Sequence, residues 1–159
     1  MNNDLTHLDS AGKARMVDVS DKPTTTREAI AQGRVRMLPE TLASALRGDA
    51  KKGSVRAAAE LAGIMAAKRT AELIPLCHQI ALSSVKIDIA ADQGVPALVV
   101  TAVARTSAQT GVEMEALVAV SVACLTIYDM LKAADRAMTI EGVMVLEKRG
   151  GASGNYIRK

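Results

Sequence analysis

Residues 110–136 constrain the fold more than any other stretch of this sequence. They read TGVEMEALVAVSVACLTIYDMLKAADR, and apolar side chains fall on nearly every side of the helix that their spacing predicts. Thr110, followed three positions later by Glu113, is typical of a capping box, in which each side chain bonds a backbone N–H of the first turn. A helix that is apolar nearly all round is buried on more than one side, so we predict a core helix. Its polar groups lie at its two ends, at Glu113, Glu115, Asp129 and Lys132.

The composition fits a single domain that binds a small anionic molecule. A chain of 159 residues is long enough to bury a core, so we predict one domain over residues 1–159, with 1–15 and 150–159 as mobile arms. The net charge is +3 and the isoelectric point is about 9.0. The basic residues form short, separated pairs, whereas a nucleic-acid-binding surface favours a long basic stripe. We therefore expect a small anionic ligand and no nucleic acid.

The sequence also argues against several classes of protein. Cys77 and Cys124 have neither the spacing of a metal site nor that of a secreted disulfide framework. Because there are only two histidines, a multi-histidine metal site within one chain is nearly excluded. The longest apolar run, residues 116–128, is shorter than the roughly 20 residues that cross a membrane, and the N-terminus lacks the apolar region of a signal peptide. We predict a cytoplasmic protein with no membrane contact.

Hydrophobic periodicity and turn residues predict the remaining elements. Pro39 and Gly48 are typical of the two ends of a short helix, and Gly33 is typical of a β-bulge. We predict a second long helix at 54–72, an edge strand at 16–20, and further strands at 27–37, 84–90, 96–105 and 138–148. This order predicts an α+β fold, a ferredoxin-like sandwich with two long helices on one face of an antiparallel sheet. The helices are more apolar than one sheet covers, so we expect a partner subunit.

Several polar residues are candidates for chemistry. Asp129 and Lys132 share one helix face, where they form either an exposed ion pair of little energetic value or an acid–base pair in a cleft. Lys52 precedes the second long helix, whose N-terminus is either a phosphate seat or part of a solvated basic loop. His78 lies in a loop, where a histidine is more often a surface residue. Glu115 has no capping role and is suited to accept hydrogen bonds from N–H groups of a ligand.

Three long motifs resemble one known family. They are LIPLCH at 73–78, TGVEMEAL at 110–117 and LTIYDM at 125–130, and the N-terminal LTH and MVDVS segments and the glycine-rich tail match as well. The sequence thus resembles the MoaC family, the cyclic pyranopterin monophosphate synthases of molybdenum cofactor biosynthesis, over essentially its whole length. One position departs from the family pattern, because Gln79 follows the LCH triplet where proline is usual. That change loosens the loop and removes no catalytic group.

The resemblance implies a lyase that rearranges 3′,8-cyclo-7,8-dihydroguanosine 5′-triphosphate into cyclic pyranopterin monophosphate and releases pyrophosphate. It also implies ferredoxin-like subunits assembled as homohexamers, trimers of dimers. The catalytic groups that it implies are Asp129, Lys52, Lys132 and His78. The substrate-binding residues that it implies, with Glu113 added, are Leu76, Cys77, His78, Met114, Glu115, Lys68 and Lys148. We expect no resident metal or other cofactor, and a Mg²⁺ carried by the triphosphate is left open.

The length of the core helix predicts that the site is shared between subunits. Along this helix, Glu115 and Asp129 are about 21 Å apart at 1.5 Å per residue, which is too far for one small-molecule pocket. If the two long helices are antiparallel, Lys52 lies at the Asp129 end and His78 at the Glu115 end. A two-fold interface that brings unlike ends together completes two sites per dimer.

Two other functions are compatible with the same fold. An RNA-recognition module stacks bases on sheet aromatics, but the sequence has no Phe or Trp, and Tyr128 and Tyr156 fall outside the predicted central strands. A regulatory ligand-binding module explains an oligomer but does not explain the grouping of lysine, histidine and aspartate candidates. Turnover of the cyclised nucleotide separates an enzyme from a binding module.

Overall fold

In the part of the chain that the structure describes, five strands form one antiparallel sheet, and the two longest helices pack against one of its faces. The computed structural model describes residue 8 and residues 11–48 and 53–159. In chain order, the elements are β1 Thr25–Arg36, α1 Pro39–Arg47, α2 Val55–Ala67, α3 Thr70–Leu73, β2 Leu82–Ala91, β3 Ala97–Ala108, α4 Glu113–Leu131, β4 Thr139–Arg149 and β5 Tyr156–Ile157.

The sheet has the strand order β2-β3-β1-β4-β5, and each pair of neighbours is antiparallel. Ala29, Ala31 and Val35 of the central strand β1 are fully buried, as alternation along a strand with one covered face requires. Helix α4 packs on β1, β3 and β4, and α2 packs beside it on β2. The predicted ferredoxin-like α+β sandwich is confirmed.

Two local predictions from glycine and proline hold in the structure. Helix α1 begins at Pro39, and Gly48 ends it in the left-handed conformation, with φ of 72°. The register between β1 and β4 shifts between Gln32 and Arg34, so Gly33 lies at an irregularity of the ladder. A β-carbon on Gly33 would lie 2.6 Å from Val120 Cγ1, so the absence of a side chain there lets α4 approach the sheet.

Helices α2 and α4 also approach each other closely, at Gly63. A β-carbon on Gly63 would press on Ile87 Cδ1 of β2 and would lie 2.8 Å from the carbonyl oxygen of Ala119. The small-residue face of α2 is therefore used inside the subunit, against α4.

Gly63→Ala is expected to lower the free energy of unfolding by about 1–3 kcal/mol, because the added methyl group has no room. In an unhindered helix the same change stabilises by about 1 kcal/mol, so the sign of the effect is informative. Gly94→Ala is the control, since its β-carbon would meet only Asp92 Oδ1 at 3.6 Å. Urea unfolding of the two variants measures the difference, and equal midpoints would contradict close packing at Gly63.

Two predicted helix ends and one predicted strand are wrong. The second long helix does not continue to residue 72: α2 ends at Ala67, where the Thr70 hydroxyl donates to the Ala67 carbonyl at 2.9 Å, and the short α3 follows. Residues 16–20 form no strand, because their backbone bonds go to loops instead of a sheet edge. Helix α4 ends at Leu131, before the predicted residue 136.

The predicted capping box is also wrong. Among the described residues, Val112 rather than Thr110 occupies the N-cap position of α4, and its side chain caps no N–H group. The Glu113 carboxylate instead lies against the α-carbon of Gly111. Glu113 is thereby placed in a cavity wall, where it is available to a ligand.

The segment 150–159, predicted as a mobile arm, contains the short strand β5. Tyr156 pairs with Lys148 and Ile157 with Glu147 of β4. It stays a prediction that this segment and residues 1–15 are mobile. It also stays a prediction that the chain forms a single domain.

Helix α4 is, in the part of the chain that the structure describes, the one helix long and apolar enough to cross a membrane. Val120, Cys124 and Ile127 on this helix are fully buried within the fold. Their burial identifies α4 as the core helix of the fold, as its pattern predicts.

Candidate active site

A cavity of about 420 Å³, here named the histidine cavity, opens at the N-terminal end of α4. Three parts of the chain form it: the loop after α3, the junction between β3 and α4, and the N-terminal segment before β1. Its lining residues are Val17, Val19, Lys22, Leu76, Cys77, His78, Thr110, Gly111, Glu113, Met114 and Glu115. The loop that carries Leu76, Cys77 and His78 follows Pro75, as the sequence predicts.

Glu115 is the most deeply buried acid of the histidine cavity, with 4% of its surface exposed. Burial raises the pKa of its carboxyl; a hydrogen bond from its own backbone N–H opposes this in part, and the charge of the nearby Glu113 adds to the rise. Burial and then the charge of Glu115 raise the pKa of the Cys77 thiol in the same wall. Among the described residues, no basic group forms an ion pair with Glu115. A buried carboxylate of this kind favours a ligand that brings N–H donors.

The stability of the free protein is expected to fall with rising pH because of Glu115. In the folded chain the carboxyl holds its proton above the ordinary pKa of 4.5, whereas in the unfolded chain it ionises. The folded state binds more protons in this interval, so the free energy of unfolding decreases as the pH rises through it. Glu115→Gln should remove this decrease, and Glu72→Gln, at an exposed glutamate, should not. Urea midpoints measured against pH test this, and parallel curves for wild type and Glu115→Gln would refute it.

His78 is held by the N-terminal segment. Its Nε2 lies 2.7 Å from the carbonyl oxygen of Val17. The Gln109 side chain bonds the same segment, donating from Nε2 to the carbonyl oxygen of Ser20 at 3.1 Å. The N-terminal segment is therefore a wall of the cavity that holds one of the predicted catalytic residues.

A second cavity of about 360 Å³, the arginine cavity, adjoins the first. The two share Lys22, Thr110, Gly111 and Glu113 in their walls. The other lining residues of the arginine cavity are Pro23, Thr25, Arg27, Gln109, Lys148, Gly151, Ala152 and Ser153. The Lys148 ammonium group, predicted as a site residue, bonds the Ser153 hydroxyl there.

Arg27 is a residue of this cavity that the sequence reasoning missed. Only 9% of it is exposed, and its Nη2 donates to the Gln109 carbonyl at 3.2 Å. Arg27 Nε and Thr25 Oγ1 are buried polar atoms with no hydrogen-bond partner among the described residues, and both residues line the arginine cavity. Buried polar groups are normally bonded, so these two atoms favour an anionic ligand in the cavity. The missed signal was a charged residue at an inward-facing position of β1, in line with Ala29 and Ala31.

Asp129 and Lys132 lie away from both cavities, at the other end of α4. Lys132 Nζ is 2.7 Å from Asp129 Oδ1, and the side chains are 52% and 56% exposed in the single chain. A cavity of about 400 Å³ beside them is lined by Tyr128, Lys132, Ala133 and Arg136. In one chain this is therefore a surface ion pair, which contributes little to stability.

The structure thus divides the predicted site residues into groups. Leu76, Cys77, His78, Glu113, Met114 and Glu115 line the histidine cavity, and Lys148 lines the adjoining arginine cavity. Asp129 and Lys132 form the separate pair. Lys68 caps the C-terminus of α2, is exposed, and lines neither cavity. Lys52 lies outside the described residues. The catalytic and binding roles stay predictions.

No group of three His, Cys, Asp or Glu side chains among the described residues is arranged to hold a metal ion. The chemistry that these cavities supply directly is hydrogen bonding to N–H donors on one side and to anionic oxygens on the other.

Fold and site together define an α+β sandwich whose cleft has carboxylates on one side and basic groups on the other. The chain belongs to the MoaC family, whose model matches residues 16–151. It is similar to proteins named cyclic pyranopterin monophosphate synthase from Methylobacterium sp. (strain 4-46) and from Methylobacterium nodulans (strain LMG 21967 / CNCM I-2342 / ORS 2060). Each is 60% identical over 152 residues, which cover 96% of this chain and 95% of the relative. The predicted resemblance is confirmed.

Proposed function

We propose that this chain is a cyclic pyranopterin monophosphate synthase of molybdenum cofactor biosynthesis. It converts 3′,8-cyclo-7,8-dihydroguanosine 5′-triphosphate to cyclic pyranopterin monophosphate and releases pyrophosphate. The observation that carries this proposal is the cleft of a MoaC-family chain in which the buried Glu115 carboxylate lies beside a basic cavity. These two parts complement the two ends of a guanosine-derived triphosphate.

The carboxylates of the histidine cavity bind the base. The pyrimidine ring of a guanine derivative presents N–H donors along one edge, and Glu115 and Glu113 are acceptors when ionised. Met114, Leu76 and Cys77 supply the apolar and soft surface around the ring in the same cavity. Loss of an N–H donor from the substrate leaves a buried carboxylate unpaired, which makes this end selective.

The arginine cavity binds the phosphates. Arg27, Lys22 and Lys148 neutralise the triphosphate, and the unpartnered Arg27 Nε and Thr25 Oγ1 gain acceptor or donor partners on binding. When the cyclic phosphate forms, a substrate hydroxyl attacks the α-phosphorus and the bond to the β-phosphate oxygen breaks. The leaving pyrophosphate develops negative charge, which fixed cations stabilise.

Asp129, Lys52, Lys132 and His78 perform the proton transfers of the rearrangement, as a lyase of the phosphorus–oxygen type requires. The rearrangement breaks and forms bonds at ring nitrogens and sugar oxygens, and each of these steps adds or removes a proton. Carboxylate, ammonium and imidazole groups can transfer such protons. We propose no resident cofactor, with any Mg²⁺ arriving on the triphosphate. Lys68 is the one further basic residue that we assign to the substrate.

We propose that the active protein is a cytoplasmic homohexamer, a trimer of dimers, with each site shared by two subunits. The separation of Asp129 from the histidine cavity supports this, because one chain does not bring the two groups together. The exposed Leu61, Met65 and Leu125 on the helix layer support it too, since a partner subunit would cover them. We expect no binding to nucleic acid or membrane.

Lys148→Gln is expected to weaken substrate binding and to flatten its dependence on salt, because one cation of the arginine cavity is lost. A rise in KM of about 10-fold at low salt is the expected size for one phosphate contact. Lys86→Gln, a change at an exposed lysine of β2 outside both cavities, is the control. Similar KM values and a similar dependence of KM on salt in the two variants would show that Lys148 does not bind the substrate.

The proposed function is tested by turnover. Purified protein is incubated with 3′,8-cyclo-7,8-dihydroguanosine 5′-triphosphate, and both pyrophosphate and the cyclic pterin are measured. Equal amounts of the two products are expected. Binding of the nucleotide without release of pyrophosphate would identify a binding module and overturn the proposal.

A further inference from the structure

We propose that residues 16–22, here named the strap, position His78 and leave Nδ1 as the ring nitrogen through which His78 exchanges protons with the substrate. The strap contains the MVDVS motif, to which the proposed reaction gives no role. The reaction itself rests on the proposed function, whereas the state of the His78 ring is measured without it.

The strap is attached to the body of the protein at two points. The Val17 carbonyl oxygen lies 2.7 Å from His78 Nε2, and the Ser20 carbonyl accepts from Gln109 Nε2 at 3.1 Å. Between these points, Asp18 Oδ1 accepts from the Ser20 N–H at 2.9 Å and the Ser20 hydroxyl at 2.7 Å. These bonds from Ser20 lower the pKa of Asp18, so the local turn is held by an ionised carboxylate. The strap therefore crosses the histidine cavity as an ordered wall.

The bond to Val17 determines which nitrogen of His78 carries the proton. A carbonyl oxygen only accepts hydrogen bonds, so the nitrogen at 2.7 Å from it is protonated. A neutral imidazole has one N–H, and when that is Nε2–H the lone pair is on Nδ1. His78 then takes up and returns protons through Nδ1, while Nε2 anchors the ring to the strap.

Gln109 is a positioning residue in this arrangement. Its side chain holds the strap at Ser20, and its own carbonyl accepts from Arg27 Nη2 at 3.2 Å. The same residue thus connects the strap to the arginine cavity. Loss of its amide group leaves His78 attached to a segment with one tie instead of two, so the ring is less well oriented.

The first test measures the tautomer. The full-length protein is labelled with ¹⁵N-histidine, and ring proton–nitrogen spectra are recorded at about pH 8, above the ordinary pKa of a free imidazole. The signals of His78 are identified by their absence from the His78→Gln variant. We expect Nε2 protonated and Nδ1 bare. The opposite tautomer, or an equal mixture, would overturn the proposal.

The second test separates anchoring from proton transfer. In His78→Gln the amide nitrogen can replace Nε2–H toward Val17, whereas the shorter side chain of His78→Asn cannot reach it. Amide hydrogen exchange of the strap is therefore expected to rise about 5-fold in His78→Asn and in Gln109→Met, as loss of one hydrogen bond predicts. It should stay unchanged in His78→Gln and in the control Gln93→Met, in the β2–β3 turn. Equal exchange in His78→Gln and His78→Asn would show that Nε2 does not anchor the strap.

Kinetics of the same variants complete the test. His78→Gln should be inactive although its strap is ordered, because it lacks Nδ1. Gln109→Met should lower kcat about 5-fold, in step with its faster exchange, and Gln93→Met should not. Activity in His78→Gln near that of wild type would show that Nδ1 transfers no proton in the reaction. An inactive wild type would instead refute the proposed function and leave the tautomer and exchange measurements to decide the role of the strap.

Discussion

Asp129→Asn is expected to lower kcat by roughly 10²-fold or more, because asparagine keeps the shape of the side chain and accepts from Lys132 but takes up no proton. Folding should change little, since the side chain is more than half exposed in the single chain. Steady-state release of pyrophosphate gives kcat, and urea unfolding checks stability.

The control for this experiment is Asp88→Asn, at an exposed aspartate of β2 away from the cavities. It introduces the same chemical change without touching the Asp129–Lys132 pair. If Asp129→Asn kept activity within a few-fold of wild type, the carboxylate would be only one half of a surface ion pair, and the acid–base role would pass to another residue.

Co-refolding of two inactive variants should restore activity to about a quarter of the sites. His78→Ala removes the imidazole from the histidine cavity. Asp129→Ala removes the carboxylate of the ion pair at the other end of α4. If each site takes its histidine from one subunit and its aspartate from the neighbour, a mixed dimer has one intact site and one doubly defective site. Random pairing makes about half of the dimers mixed, so about a quarter of all sites are complete.

The measurement requires that each variant be inactive alone and that mixed oligomers be demonstrated, for example by subunits of different mass. Activity after unfolding and refolding together is compared with activity after mixing the folded proteins. A mixture that forms mixed oligomers yet stays as inactive as its parents would place both residues in one chain's pocket and would contradict the shared site.

Much of the fold could be predicted because short-range rules decide it. Pro39 and Gly48 set the ends of α1, and the break in alternation at Gly33 indicated the bulge in β1. The wrong boundaries are those where tertiary contacts decide. The apolar and polar residues of the strap alternate as in a strand. Its backbone carbonyl groups, however, bond the side chains of His78 and Gln109, which lie far from it in sequence.

The candidate site was predictable to a different extent at each end of α4. The resemblance supplied the residues of the histidine cavity, and the rise of a helix was enough to separate Asp129 from them. The spacing of Thr110 and Glu113 fits a capping box, which is why the sequence predicted one. In the structure the Glu113 carboxylate lies over Gly111 instead, so this cap does not form. Arg27 was missed because its importance depends on burial and on an unpartnered nitrogen, neither of which a sequence displays.

The two thiols differ enough in their surroundings for one of them to serve as a natural reporter. Burial raises the pKa of Cys124 to about 12, and its side chain is enclosed in the core, so alkylating reagents should not label it in the native protein. Cys77 is partly exposed in the cavity wall, and the charge of Glu115 helps to hold its proton. The rate at which Cys77 is alkylated therefore reports both the occupancy of the cavity and the ionisation of Glu115. The unmodified sequence thus carries its own chemical probe of the site.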